Sequence, residues 1–253
     1  MIEFRNVTKV LSGRPVLNDL SFTIQKGETF CIVGASGAGK SVTLKHMVRL
    51  MTPDDGHILI GGDEISSAEG KELGRIRNRF GYLFQSAALL AWLSVAENVA
   101  LPLREKHRLS EGEIQRRVHE TLEMVELEND GTKLPSEISG GMRKRAGLAR
   151  AIVENPEIVL YDEPTSGLDP VTSRTIDRLI GQLRAELGVT SVVVTHDLHS
   201  ALAIGSRIAM LDQGRVSELA APDAFIKSSS KEVQRFLASQ YITQDAPWER
   251  DAK

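Results

Sequence analysis

Eight consecutive residues limit what this 253-residue chain can fold into: Gly34-Ala35-Ser36-Gly37-Ala38-Gly39-Lys40-Ser41. They fit the pattern G-x-x-x-x-G-K-[ST], and their flanks have the shape that pattern needs. Thr29-Phe30-Cys31-Ile32-Val33 reads as a short buried strand before them. Val42 to Leu50 reads as a helix after them, with Leu44, Met47 and Val48 on its apolar side. In a strand–loop–helix of this kind the glycines let the backbone wrap a polyphosphate, while successive amide N–H groups and the helix N-terminus attract negative charge. Lys40 would reach the β- and γ-phosphates, and the Ser41 hydroxyl would ligate Mg²⁺. A nucleotide site is therefore expected at Gly34, Ser36, Gly37, Ala38, Gly39, Lys40, Ser41 and Val42.

The surrounding periodicities build an α/β chain. Ile2 to Val7 and Leu20 to Ile24 alternate apolar and polar residues, as half-buried strands do. Pro53-Asp54-Asp55-Gly56 and Gly61-Gly62-Asp63 are turns around a short strand, His57 to Ile60. Leu73, Ile76 and Phe80 have helical spacing, and Arg75, Arg77 and Arg79 between them are expected on a solvated face. Phe80 to Phe84 reads as a strand ending at Gln85. From Ser86 to about Glu154 helical patterns dominate, including a capping box of Ser110 and Glu113 that opens a helix with Ile114, Val118, Leu122 and Val125 on one face. Strands return at Ile158 to Tyr161, Ser191 to Thr195 and Arg207 to Leu211, the last turned by Asp212-Gln213-Gly214. Between the first two lies a helix with Asp169 as its N-cap, Pro170 in its first position and Gly188 as its stop. Its buried stripe is Ile176, Leu179, Ile180, Leu183 and Leu187.

Strands alternating with helices imply a largely parallel, three-layer sheet. The expected organisation is a core of residues 1–85 and 155–226, with a helical lobe of residues 86–154 inserted in it. Residues 227–253 then form a C-terminal helix and tail: a linker at Ser228-Ser229-Ser230, an amphipathic helix with Val233, Phe236, Leu237 and Tyr241, and a polar end from Gln244 to Lys253.

Composition closes off some classes. Hydrophobic and charged fractions of 41% and 26% are those of an ordinary globular chain. A net charge of −3 gives no bias toward nucleic acid or anionic lipid, so no nucleic-acid partner is expected. No apolar run approaches the roughly 20 residues that span a bilayer, and the first five residues lack the order of a signal peptide. Cys31 is the one cysteine, which rules out an intrachain disulfide and fits a reducing compartment; it reads as a small buried hydrophobe. The expected location is the cytosol or the cytosolic side of a membrane.

Further chemistry gathers at strand ends. Ile158-Val159-Leu160-Tyr161 runs into Asp162-Glu163. Asp162 could hold the Mg²⁺ water shell while Glu163 orients or deprotonates an attacking water. Two such carboxylates can also cap a helix or sit in a solvated turn, but following a P-loop the catalytic role is favoured. His196 ends the next strand, where it would sense phosphate, and Gln85 ends another, where its amide would meet the metal or the water. Ser139-Gly140-Gly141-Met142 precedes a helix starting near Arg143, a place suited to an anion. Arg143, Lys144, Arg145 and Arg150 are read as a basic helix face beside a phosphate rather than as a nucleic-acid patch.

Taken in order, these segments resemble the ATP-binding-cassette (ABC) ATPases from Ile2 to about Ile226. The resemblance rests on the P-loop, Gln85, Ser139-Gly140-Gly141, Asp162-Glu163, Ser166-Gly167-Leu168-Asp169 and His196. It implies a P-loop NTPase fold with a RecA-like core, an antiparallel β subdomain and an inserted helical lobe. It further implies an ATP-hydrolysing enzyme using Mg²⁺, held by Ser41, Gln85 and Asp162, and working as a homodimer. Each ATP would lie between one subunit's P-loop and the other's Ser139, Gly140 and Gly141, with Asp169 in the loop that faces the partner. Glu163 would be the general base, His196 the γ-phosphate contact, and Gln85 the link to an integral membrane permease. Leu11 stands where the family usually has an adenine-stacking aromatic, Val42 replaces a Ser/Thr, Met142 a Gln and Ile138 a Leu.

Within that family, Leu134 to Met142 with Arg143-Lys144-Arg145, Leu83 to Leu89, Asn98 to Glu105 and Val233 to Leu237 are similar to the ATPases of Mla/MCE-type lipid transporters. That likeness implies phospholipid or lipid transport between envelope membranes, at the cytoplasmic face of the inner membrane. It also implies a separate permease, an MCE-domain protein and, in some systems, a small STAS-domain protein. The alternative is the ATPase of a small-solute importer with a periplasmic binding protein, which would share every catalytic residue. A soluble ABC ATPase of another process is disfavoured, since the chain has neither a coiled-coil insertion, zinc-type cysteines nor a second cassette. The run Ala87 to Leu93 is expected either to line a groove for a permease helix or to belong to the lobe's core.

Overall fold

The computed structural model describes residues 1–106, 109–240 and 242. It opens with a hairpin of β1 (Ile2–Leu11) and β2 (Arg14–Ile24), joined by Ser12 and Gly13 at φ 50° and 76°. Two left-handed residues in succession are what a two-residue hairpin turn requires. Both strands outrun the alternation expected from sequence because their pairing shifts register between Phe4 and Val7, Val7 and Lys9, and Lys9 and Val10. Each shift moves the next side chain to the other face and hides the period.

After β3 (Thr29–Val33) and α1 (Lys40–Met47), β4 (Asp55–Ile60) and β5 (Asp63–Glu64) complete a four-stranded antiparallel sheet in the order β2-β1-β4-β5. Phe4, Phe22 and Phe30 stack in succession, with ring centroids 4.6 and 5.4 Å apart. The stack continues from this sheet into β3. The helix α2 (Gly70–Arg77) then stops short of Phe80, which begins β6 (Phe80–Leu83) instead of closing the helix face.

The three arginines keep a solvated face only in part. Arg75 and Arg77 are exposed, Arg75 paired with Asp63 and Arg77 donating to the carbonyls of Val48 and Arg49. Arg79 is half-buried and reaches Glu157 and the Ile60 carbonyl. A guanidinium has five donors, and loop carbonyls left open by short strands are nearby acceptors.

Between β6 and the next strand the chain is helical: α3 (Val95–Glu105), α4 (Glu111–Met124), a 3₁₀ turn at Pro135–Glu137 and α5 (Gly140–Ile152). Capping boxes at Ser94/Glu97 and Ser110/Glu113 start α3 and α4. Ile114, Val118, Leu122 and Val125 are buried as expected.

The central sheet follows with β7 (Ile158–Asp162), α6 (Pro170–Leu187), β8 (Thr190–Val194), α7 (Leu198–Ile204), β9 (Arg207–Asp212) and β10 (Arg215–Ala220). Its order is β10-β9-β3-β8-β7-β6, parallel except for β10. Every residue of β3, β7 and β8 is buried, as strands covered on both faces must be. Asp169 caps α6 and Gly188 ends it at φ 64°, while Leu187 is only half-buried. The edge strand β10 was not expected; its alternate exposed residues carry the polar pattern of a loop.

Two short helices close the chain, α8 (Pro222–Ile226) and α9 (Lys231–Ser239). Ser230 is the N-cap of α9, and Val233 and Leu237 are buried. Tyr241 and the tail from Gln244 lie outside the described residues. Among the described residues, no helix is long and apolar enough to cross a membrane.

Candidate nucleotide-binding and hydrolysis site

In a parallel sheet the strand C-termini gather along one edge, and the loops after β3, β6, β7 and β8 meet there. Residues 34–39 leave β3 and turn into α1, with Gly34, Gly37 and Gly39 at φ 147°, 82° and 99°. A Cβ on Gly34 would fall 2.4 Å from the Leu211 carbonyl oxygen, and one on Gly39 would fall 2.7 Å from that of Val16. The loop is thus pressed between β9 and β2, and only glycine fits at those two points. Gly39 caps α1 without a side chain, so none occupies the amides at the helix start.

Lys40 folds back over this loop. Its Nζ donates to the carbonyls of Gly34 (2.9 Å) and Ala35 (3.1 Å) and lies 3.9 Å from Glu163. Burial pulls its pKa down, while Glu163 and Asp162 pull it up. An ammonium over a ring of backbone amides fits a polyphosphate, because both supply donors to anionic oxygens.

Asp162 and Glu163 end β7. Asp162 Oδ1 accepts from Ser41 Oγ (2.7 Å), and Oδ2 accepts from the Tyr82 hydroxyl (3.5 Å). A hydroxyl and a carboxylate in contact are the hard oxygen ligands that suit Mg²⁺, so the donor set fits that ion. Glu163 sits in the left-handed region at φ 50°. Its N–H donates to the Val194 carbonyl (2.9 Å), and Oε2 meets both the ring Nδ1 of His196 (2.6 Å) and its backbone N–H (3.3 Å). The pairing of Leu83 with Tyr161 carries Gln85 toward the level of Glu163 on the same edge.

Ser139, Gly140, Gly141 and Asp169 stand apart from this group. Ser139 Oγ caps α5 by accepting from the Met142 N–H (3.2 Å), and the helix begins at Gly140 rather than near Arg143. Asp169 accepts from the N–H groups of Val171 and Thr172. Among the described residues, no hydrogen bond or ion pair joins these four to residues 34–41.

The basic residues of α5 all donate to backbone carbonyls, and one of them, Lys144, does so at the sheet edge. Arg143 donates to the carbonyls of Pro135 and Ile138, Arg145 to those of Val125 and Glu126, and Arg150 to those of Ala87 and Ala88. Lys144 is buried between the carbonyls of Gln85 (2.6 Å) and Glu163 (2.9 Å). The helix presents its positive charge to chain segments that surround it and would otherwise leave acceptors unpaired. The sequence placed Lys144 beside the site but not its partners, and Tyr82 was not expected there at all, for the partners of both lie far along the chain.

The apolar run divides. Ala87 is buried at 1% exposure, whereas Trp92 is 74% exposed. A cavity of about 360 Å³ opens beside it, lined by Phe80, Tyr82, Phe84, Ala88, Pro102 and Arg150 among others. Leu11 is half-buried at the β1–β2 turn.

Three comparisons bear on this arrangement. The family model described as "ABC transporter" matches residues 17–166, from β2 through the P-loop to the segment after Glu163. A probable ribonucleotide transport ATP-binding protein, mkl, of Mycobacterium leprae is 40% identical over 95% of this chain and 70% of its own. The methionine import ATP-binding protein MetN 2 of Pseudomonas entomophila is 40% identical over 94% of this chain and 72% of its own. Among solved structures, the ATP-binding cassette MJ0796, dimeric in a post-hydrolysis state with ADP and Pi, superposes with a TM-score of 0.80. It is 36% identical over 88% of this chain and 99% of that one.

Proposed function

Since this chain belongs to the ABC transporter family and is an ATPase that drives transport with ATP and Mg²⁺, we propose that it powers the import of a small solute through a separate permease. The observation that carries the ATPase at the centre of this reading, which import shares with lipid transport, is the half-site. Lys40, Ser41, Asp162, Glu163 and His196 converge on one sheet edge, while Ser139, Gly140 and Gly141 start a helix elsewhere. A donor-rich helix start without an anionic partner among the described residues fits a site completed by a second copy, in a homodimer with Asp169 near the seam.

In this reading Gly34 to Val42 hold the phosphates, and Ser41, Asp162 and Gln85 hold the metal. Glu163 takes the proton of the attacking water, and His196, fixed by Glu163 Oε2, meets the γ-phosphate. The metal supplies charge neutralisation at the phosphates when bound. Residues 1–85 and 155–226 are the body that holds ATP, and the lobe of residues 86–154 meets the permease. The cavity between Phe80, Phe84 and Pro102 is the proposed seat for a permease helix at the cytoplasmic face of the membrane.

Import is favoured over the lipid transport expected from sequence because the similar proteins are named for ribonucleotide transport and methionine import. Lipid transport of the Mla/MCE type, with an MCE-domain protein and a STAS-domain protein as further partners, stays as a second reading. It rests on the segments Leu134 to Arg145, Leu83 to Leu89 and Asn98 to Glu105. Affinity purification from gently solubilised native membranes separates the two. A permease with a solute-binding protein is the expected result. A permease with an MCE-domain protein and bound phospholipid would replace import by lipid transport, and no membrane protein at all would sink both.

A further inference from the structure

Lys144 lies in the second turn of α5 with 6% of its surface exposed. Its ammonium pairs with no carboxylate among the described residues; it donates instead to the carbonyls of Gln85 at 2.6 Å and Glu163 at 2.9 Å. Taking a charge out of water is costly unless its donors are used, and burial accordingly pushes the Lys144 pKa down, against the pull of Glu163 and Asp162. A buried ammonium kept for two backbone carbonyls marks those carbonyls as worth holding.

They belong to the loops that follow two neighbouring strands, β6 and β7. The lysine itself belongs to the helix whose first turn carries Gly140 and Gly141. Three segments of the site therefore meet on one nitrogen. Glu163 needs such a hold more than its neighbours do. Its φ of 50° is a conformation that a residue with a side chain adopts at a cost and keeps only where its surroundings fix it. The Glu163 N–H is fixed by the Val194 carbonyl, its carboxylate meets His196, and its carbonyl accepts from Lys144 at 2.9 Å and, less closely, from the Ser166 N–H at 3.2 Å.

We infer that Lys144 is a positioning residue for hydrolysis: it ties the Glu163 backbone to the Gln85 loop, so that the seating of α5 sets where the carboxylate points. The inference rests on the reading of Glu163 as the base. A group of this kind acts on the chemical step and leaves nucleotide affinity alone, which separates it from a residue that merely supports the fold.

The test is steady-state ATP hydrolysis by the full-length protein, with rates normalised to the sites that bind a fluorescent ATP analogue. Lys144→Met keeps most of the side chain's apolar stem, one atom shorter, without its donors. Lys144→Gln keeps two N–H donors on a shorter arm that reaches one carbonyl. The expected result for Lys144→Met is a kcat lower by about ten- to a hundredfold, the scale on which ångström misplacement acts. KM for ATP should change less than about threefold, because binding common to ground and transition states is untouched. Lys144→Gln should fall between this variant and the wild type, and it decides alone if Lys144→Met does not fold. Wild-type kcat in either folded variant, or a loss confined to KM, overturns the role of Lys144. Glu163→Gln is measured beside them. If it turns over normally, the base assignment has failed; if it is inactive while the Lys144 variants are unimpaired, only the positioning role has.

Discussion

Glu163 holds the most constrained side chain at the sheet edge, with one carboxylate oxygen on His196 and the other 3.9 Å from Lys40. Glu163→Gln keeps the shape and removes the basicity. Turnover should fall by at least about a hundredfold, the lower end of the range for loss of general-base catalysis, while the ATP-bound dimer becomes long-lived in size-exclusion chromatography. A second acid behaves differently. Asp177 of α6 is buried, accepts from Ser200 Oγ at 2.8 Å and leaves Oδ1 unpaired, and burial raises its pKa from 3.8 to about 6. The folded state thus holds this proton more tightly than the unfolded chain does. Its contribution to stability is full below pH 4, declines as pH rises toward 6 and is lost above. Asp177→Asn should stabilise the protein at pH 7.5 by on the order of 1 kcal/mol, after allowance for solvent screening. The gain should shrink at pH 5. Urea unfolding at the two pH values checks this, and a gain independent of pH would refute it.

At the scale of elements, the stretch between β6 and α3 is a loop held at its start by Lys144 and Arg150 and at its end by Asn98. Asn98 is fully buried; its Oδ1 accepts from the Leu90 N–H (2.7 Å), and its Nδ2 donates to the carbonyls of Leu90, Leu93 and Ser94 at 3.0–3.1 Å. Asn98→Ala would leave several buried groups unpaired and should cost about 2 kcal/mol in denaturant unfolding; a loss below about 0.5 kcal/mol would contradict the geometry. Asn98 also shows why some of the protein was legible and some was not. Caps and boxes such as Ser110/Glu113 and Asp169-Pro170 are local, so their chemistry shows in neighbouring letters. The P-loop, Asp162, Glu163 and His196 were legible because each ends a buried strand of a parallel sheet. The targets of Arg79, Lys144 and Arg150 were not, for a basic residue's acceptor can be any carbonyl that folding brings near. β1 and β2 were cut short because shifts of register erase a period-two signal.

For the whole molecule, the proposed division of the site between two copies would make activity depend on concentration. The specific ATPase activity of dilute protein should rise with concentration and level off where the dimer saturates. Constant activity over a hundredfold dilution would show that one chain suffices. The strand order has another outcome. β3, which leads into the P-loop, lies between β8 and β9, and Cys31 pairs with Val193 and Ile208. During synthesis at about 5–20 residues per second, β3 therefore leaves the ribosome roughly ten to thirty seconds before either flanking strand exists. Through that interval a largely apolar segment has both hydrogen-bonding edges open, which makes the nascent chain a client for holding chaperones. Translation must pass β9 before the loop that binds ATP has walls on both sides.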